Sequence, residues 1–497
     1  MAGVDTKHSE YEALEERWQR CRDTSEGEDA VKYRGTKYLP QLDSHKKDQA
    51  QSGFSRRYSE YKMRALYYNA VGRTITGLSG AIFQKAPSVE VGSVMKDHIK
   101  DITLTDQPVD IFAMMATREY LTTGRFGILV DMSTELATTP RPYWVLYKAE
   151  DIINWKFRNL GGDKELSLVV LRETVEEQNP EDEFDIEPIV QYRVLRLSDD
   201  GLYTQQIYLP SDSTANPMGG KRSQEYIPQE VIVPTRRGVP LDFIPFSLPW
   251  SVGSPPLLDL VSVNLSHYRG SADLKHGLHF TALPTPWVSG QTDTGSPLSI
   301  GAGVAWSLDK DGKAGMLEFT GQGLAAIRED MTEMQKMMAT LGARLLEESP
   351  RYSETATGVS MRHGSDYASL RMIAQIVEAQ VSYALKIHEW WLSTETLVTK
   401  VAANIELNKV FFEASVTADE LRALLMALQE SGISFKTFYE RLSNTGWTRE
   451  GIDSDEELAD IMADGDKFKK PTPNSQQPPD PKSTAPGAKP PPRPVTG

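Results

Sequence analysis

The sharpest alternation of apolar and polar positions runs through residues 324–400. Leu324, Ile327, Met331, Met334, Met338, Leu341 and Leu345 step by three and four residues in turn, which places them in one stripe along a single helix. A polar break follows, SPRYSETATG from Ser349 to Gly358. A second helical stripe starts near Asp366 and passes through Leu370, Ile373, Val377, Val381, Ala384, His388 and Trp391. Two long helices joined by a polar loop, with no catalytic set beside them, suit moving or gating architecture better than a reaction site. The cluster Met331, Met334, Met337 and Met338 reads as helix packing, since unbranched thioethers tolerate helices that slide on their neighbours.

Upstream, Ser254-Pro255-Pro256 opens another helix, with proline at the first turn. Leu258, Val261, Leu265, Tyr268 and Ala272 carry it to about Phe280, and Pro284 and Pro286 end it. Residues 283–323 hold glycines and short strand-like pieces, TPWVSG, GAGVAWSL and AGMLEFTG, and predict a small β module between two helices.

Earlier still, residues 54–83 predict one helix on the spacing of Tyr58, Tyr61, Ala65, Tyr68 and Ile75. A second helix is expected from Val109 to Thr122, stopped by Gly124. GILVDM, YWVLYKAEDIINWKF, LSLVVLRETVEE, IVQYRVLRL and GLYTQQIYL then read as strands, so residues 124–250 are mostly sheet with polar loops. Residues 1–53 are polar and charged, with a short helical pattern near Tyr11 to Trp18, and predict an arm ordered on a partner. Residues 401–465 predict short helices, TADELRALLMALQES and ISFKTFYERLSNTGW. The stretch from Asp466 to Gly497 carries ten prolines and almost no apolar residue, a composition that cannot offset the entropy of ordering.

Composition narrows the function classes. Of 497 residues, 39% are hydrophobic and 25% charged, enough for a folded core. The net charge of −15 argues against tight, non-specific DNA binding by the chain as a whole, though not against a surface that DNA passes. A single cysteine, Cys21, excludes an internal disulfide and Cys-based zinc sites. The opening residues lack the apolar core of a signal peptide, and no run approaches the ~18 apolar residues of a membrane helix. The expectation is a protein made in a reducing compartment, with no membrane partner.

The candidate chemistry is thin. His276 and His279 lie three apart on a predicted helix, a spacing that can serve a metal, but no third ligand stands near and partly exposed polar positions are the preferred reading. GGKRS at Gly219–Ser223 lacks the first glycine of a phosphate loop and has Arg222 where Ser or Thr would bind magnesium. The acidic run Glu181–Glu187 reads as a solvated loop. Lys467, Lys469, Lys470, Lys482, Lys489 and Arg493 make the tail basic, for nucleic acid, an acidic protein face or plain solubility. Trp287 and Trp306 fit either the β module's own small core or a docking surface. No catalytic residue, metal or cofactor is called, and an enzyme hidden among the carboxylates has no compact ligand set behind it.

The order of elements, with several local patterns, resembles the portal proteins of tailed bacteriophages. The patterns are YLPQL (Tyr38–Leu42), RALYYNAVGRTITGLSGAIFQKAP (Arg64–Pro87), LTTGRFGILVD (Leu121–Asp131), YKAEDIINW (Tyr147–Trp155) and SETATGVSMRHGSDYASL (Ser353–Leu370). They look like one portal family in particular, long labelled only as a domain of unknown function. The resemblance implies an α+β portal fold with wing, stem, clip and crown regions, assembled as a ring of usually twelve subunits. It implies an N-terminal arm at 1–53, a wing at 54–253, stem helices at 254–282 and 324–348, and a clip at 283–323. A tunnel loop at 349–364, a long wing helix at 365–400, a crown at 401–465 and a disordered tail at 466–497 complete it. Arg351, Tyr352, Ser353, Glu354, Thr355 and Thr357 would face DNA in the channel. Trp287 and Trp306 would lie in the docking clip, and Leu324, Ile327, Met331, Met334, Met338 and Leu341 would pack the stem. The implied partners are further copies of the chain, double-stranded DNA, the terminase large subunit, the head-tail adaptor, and the major capsid protein and scaffold. The implied place is the capsid portal vertex of the virion, after assembly in the host cytoplasm. The alternatives are a head-tail adaptor or a minor head protein.

Overall fold

Helix α1 (Ser9–Glu26) turns Tyr11, Leu14, Trp18 and Cys21 inward, and all four are buried. Arg22, on the same helix, holds Glu119 at 2.8 Å and Glu150 at 2.5 Å. Helices α2 (Glu28–Tyr33) and α3 (Asp43–Ser52) follow, with Val31, Tyr38 and Leu39 in the same core. This corrects the expectation of an arm at 1–53. The segment is polar on average, yet its few large apolar side chains share one face and find a core. The computed structural model describes residues 3–53, 55–133, 140–178, 184, 186–211, 225–249, 252–281, 285–289, 310–317, 322–343, 356–409, 411, 418–443, 448 and 452–464.

The single helix expected over 54–83 is two, α4 (Arg56–Arg64) and α5 (Ala70–Ile82). Ala65 takes an extended backbone at φ −61°, ψ 138°. Asn69 then caps α5 by accepting the Gly72 N–H at 2.8 Å. Helical spacing continues through the break, so periodicity alone misses it. Strand β1 (Ser88–Glu90) leads to α6 (Val109–Thr123), which Gly124 ends as expected.

The strands that follow are β2 (Phe126–Met132), β3 (Pro142–Lys148), β4 (Ile152–Leu160), β5 (Asp163–Gln178), β6 (Ile186–Leu197), β7 (Tyr203–Pro210), β8 (Tyr226–Ile232), β9 (Thr235–Arg236), β10 (Val239–Pro240) and β11 (Phe246–Ser247). Strands β2 to β7 fall on the apolar runs, whereas β8 to β11 lie in a stretch that carries no such run. Strands β4 to β8 form a five-stranded antiparallel sheet in sequence order, and a second sheet has the order β11-β2-β3. A buried polar network joins the two sheets: Tyr147 Oη donates to Glu173 at 2.5 Å, and Arg193 Nε at 2.7 Å. GGKRS and most of the acidic run lie outside the described residues.

Helices α7 (Leu258–Thr281), α8 (Gln322–Ala343) and α9 (Ala356–Leu392) dominate the second half of this unit, with β12 (Thr285–Ser289) and β13 (Lys313–Leu317) between the first two. Helix α9 begins at Ala356, so residues 356–364, expected within a loop, are helical, and it ends at Leu392 rather than 400. Its buried residues include Leu370, Ile373, Val377, Val381, Ala384 and His388. Strand β14 (Asn404–Glu406) returns to pair with β1. That pairing puts Val401, Ala403, Ile405 and Leu407 into the core, so the expected boundary at 401 moves. The compact units are Met1–Phe411 and Phe412–Gly497. Within the second, the described helices are α10 (Ala418–Gln429), α11 (Phe435–Ser443) and α12 (Ser454–Asp464), with Phe438 and Tyr439 buried. The architecture is mixed α+β.

Candidate functional site

The feature that stands out from the core is the pair α7 and α8 with the β12–β13 ribbon between them. Helix α7 is fixed along its inner face. The Asn264 amide donates to the Tyr68 carbonyl at 2.8 Å and accepts from Tyr67 Oη at 3.1 Å. Ser271 Oγ accepts the Leu66 N–H at 2.9 Å, and Tyr61 Oη donates to Asp273 at 2.5 Å. The chain break between α4 and α5 therefore lies directly against α7, where freed backbone groups find these side chains.

Helix α8 packs antiparallel on α7 through two glycines. A Cβ at Gly277 would stand 2.5 Å from Leu324 Cδ2, and one at Gly270 would stand 3.4 Å from Met331 Cγ and 3.7 Å from Met334 Cε. The glycines are seven residues apart, and so are Leu324 and Met331. At Gly277 the Leu324 side chain thus enters space that a Cβ would fill, while at Gly270 a Cβ would meet Met331 and Met334 in ordinary van der Waals contact. Along the stripe, Met334 and Met338 are buried, while Leu324, Ile327, Met331 and Leu341 are half-buried. The opposite face carries Arg328, Glu329, Asp330, Glu333 and Lys336, all exposed. At the inner end, Gln335 meets buried His267 at 3.1 Å, and burial holds that imidazole's pKa below its usual value. A cleft of about 410 Å³ opens there between α5 and α8, lined by Tyr68, Arg73, Thr74, Gln335, Met338 and Gly342.

At the outer end, β12 and β13 pair antiparallel from Thr285↔Leu317 to Ser289↔Lys313. Trp287 lies opposite Gly315 and shields it, its Nε1 standing 2.9 Å from where a Cβ would be. The indole stays 43% exposed, so it covers the ribbon on one side and meets solvent on the other. Trp306 lies outside the described residues. So do Arg351, Tyr352, Ser353, Glu354 and Thr355, whereas Thr357 stands in the first turn of α9.

Of the two candidate histidines, His276 is half-buried and His279 exposed. His276 sits edge-on to Tyr61, ring centroids 5.2 Å apart, beside His45. Among the described residues, no group of three or more His, Cys, Asp or Glu could hold a metal ion, and no helix is long and apolar enough to cross a membrane. Cys21 is buried, and burial raises its thiol pKa to about 12. Two features escaped sequence reasoning. Gly277 is a notch for Leu324, visible in retrospect only as a glycine inside a helix. His98 and His388, 3.1 Å apart, are distant in sequence and carried no signal.

Residues 256–392 match a family described as a domain of unknown function, DUF4055. That span starts just ahead of α7 and closes with α9, so it holds the helix pair, the ribbon and the long helix. Among solved structures, the chain is similar to one titled "Neck of empty GTA particle computed with C6 symmetry", at 13% identity over 77% of this chain and 90% of that one, with a TM-score of 0.36. It is also similar to "Neck of native GTA particle computed with C12 symmetry", at 12% identity over 76% and 90%, with a TM-score of 0.33. A chain from "Virion of native gene transfer agent (GTA) particle" stands at 13% identity and the same TM-score, 0.33. Scores this low establish no shared fold. No curated protein matches the chain.

Proposed function

We propose that this chain is a portal-type virion protein: a subunit of a closed ring at one capsid vertex, through which double-stranded DNA enters and leaves the head. The observation that carries the reading is the order of elements. Two antiparallel helices, α7 and α8, hold a small β ribbon at one end, and α8 leads by a short polar segment into the long helix α9. The portal resemblance read from the sequence has the same order. In this reading α7 and α8 are the stem. The ribbon with Trp287 is the clip, on which the terminase large subunit and then the head-tail adaptor dock. Arg351 to Thr355, with Thr357, face the channel, and the capsid protein and scaffold surround the wing.

The physical chemistry of a conduit supports it. A channel must pass a polyanion without holding it, and each exposed cation adds counterion-release affinity that slows passage. The outer face of α8 mixes both signs and leans acidic, as a sliding surface requires. Electron microscopy of the purified full-length protein tests the proposal. Closed rings with an axial channel are the expected result. Monomers at every concentration and salt, with no ring at the particle vertex, would sink it.

A further inference from the structure

Strand β5 has two ends of different character. Near its start it walls a cleft of about 390 Å³, where Phe157 and Leu166 meet Phe243 and Phe246 on one side and Ala379 and Tyr383 of α9 on the other. Ser247 on β11 donates to the Gln380 carbonyl at 2.9 Å and so fixes α9 beside the cleft. Phe246 is buried and Tyr383 exposed, so the cleft runs from the core to the surface. Lys164 and Glu165 also line it. Glu165 is paired with Arg158 at 2.8 Å, whereas Lys164 forms no ion pair among the described residues. Neither does Lys386, which stands one turn beyond Tyr383 on the same flank of α9. An apolar lining with two cations beside it suits an aromatic side chain flanked by acids.

The far end of β5 carries such a group. The strand pairs with β6 as far as Gln178↔Ile186. Every residue from Thr174 to Gln178 is exposed, and so are Ile186, Glu187 and Pro188. Both faces of the ribbon therefore meet solvent, and Val175, Ile186 and Val190 are among the exposed apolar side chains. Phe184, between the two strands, is 87% exposed. Residues 173–187 hold eight Asp and Glu and no Lys or Arg. Exposed apolar residues gathered on one uncovered element mark a contact surface.

The tip and the cleft cannot meet within one chain. Leu166 and Gln178 lie on the same strand, and at ~3.3 Å per residue that strand holds them roughly 40 Å apart. We propose that the tip of the β5–β6 ribbon, with Phe184 as its anchor, seats in the β5–α9 cleft of a second copy of this chain. The carboxylates of the tip then lie near Lys164 and Lys386. Because the two patches differ, the contact is head-to-tail, and it either closes a ring or runs on as a filament. The inference rests on the ring reading only for the association of copies, and it names the surface through which they associate.

The test is directional cross-linking of the full-length protein. Cys21, the one native cysteine, is buried, so an introduced thiol reacts alone. Phe184→Cys and Ala379→Cys are expressed separately and together, then treated with a short bifunctional maleimide. Cross-linked pairs should appear in the co-expressed sample and in neither variant alone. Phe184→Ala should weaken association, measured by sedimentation, by roughly tenfold or more. Its circular dichroism should match wild type, since the side chain packs in no core of its own chain. Cross-links within Phe184→Cys alone overturn the proposal, because two tips would then meet. Unchanged association of Phe184→Ala overturns it too. Microscopy of the same samples separates the two readings. Rings without cross-links in the co-expressed sample sink this inference alone, and cross-linked open chains without rings sink only the closed ring.

Discussion

Helices α8 and α9 carry apolar stripes of the same period and meet opposite fates. Helix α9 runs through the core of its unit, packed by α6, β2, β11 and β14, and its stripe is buried from Leu370 to Trp391. Helix α8 rests on α7 and touches α5, and among the described residues of its stripe only Met334 and Met338 are buried. One helix is completed by its own chain. The other is half-covered, held to α7 by a glycine notch and bearing charge on its outer side. An apolar stripe therefore shows that a helix has an inner face, not how much of the molecule will close over it. The difference matters for function, because the half-covered pair carries the ribbon and leads into the proposed channel segment.

The strongest way to break this contrast is to attack the side that is fully enclosed. Trp18→Ala empties a wholly buried site on α1 and should cost about 3–5 kcal/mol. Urea unfolding measures it, and a change within error would restore the view of residues 1–53 as a detachable arm. The helix pair should respond less. Gly277→Leu forces a side chain into the space that Leu324 occupies, and overpacking of this kind costs roughly 1–3 kcal/mol. Adding Leu324→Ala should restore part of that stability. Additive losses in the double variant would mean that the notch does not hold α8.

The third effect concerns acid. The His388 imidazole is wholly buried, and burial together with His98 and Arg141 pushes its pKa down to about 3. The unfolded chain takes up that proton near pH 6.5, so between about 6.5 and 3 the unfolded state binds more protons. Stability should therefore fall as pH falls through that window, by up to about 1.4 kcal/mol per pH unit for this one group. His388→Leu should flatten the slope of unfolding free energy between pH 6.5 and 5, whatever it does to stability at neutral pH. A slope identical to wild type would assign the acid sensitivity elsewhere. Unlike a surface ion pair, this effect should resist added salt, since a buried group is poorly screened.

Much of the candidate site was legible. The spacing of Leu258 to Ala272 and of Leu324 to Leu341 marked α7 and α8, and prolines 284 and 286 marked where the ribbon starts. Those signals are local, a face and a breaker, and so they survive folding. The break between α4 and α5 was hidden because Asn69 competes for the backbone with its side chain while the apolar period continues through it. The notch at Gly277 was hidden because a glycine in a helix only weakens the helix until a second helix supplies the side chain it accommodates. The basic stretch at 44–73, seven Lys and Arg against two Asp and Glu, was masked by averaging into a net charge of −15.

By itself, then, the amino-acid order determined the long helices α7, α8 and α9, most of the central strands, and which face of each long helix is apolar. Hydrogen bonding and side-chain period act over a few residues, and that is the range a pattern can report. Only the tertiary structure decided that α1 belongs to the core, that residues 404–406 come back to pair with 88–90, and that α9 is enclosed while α8 is half-covered. Each of those outcomes depends on what a face meets. The partners lie far along the chain, and burial belongs to the pair rather than to either stripe alone.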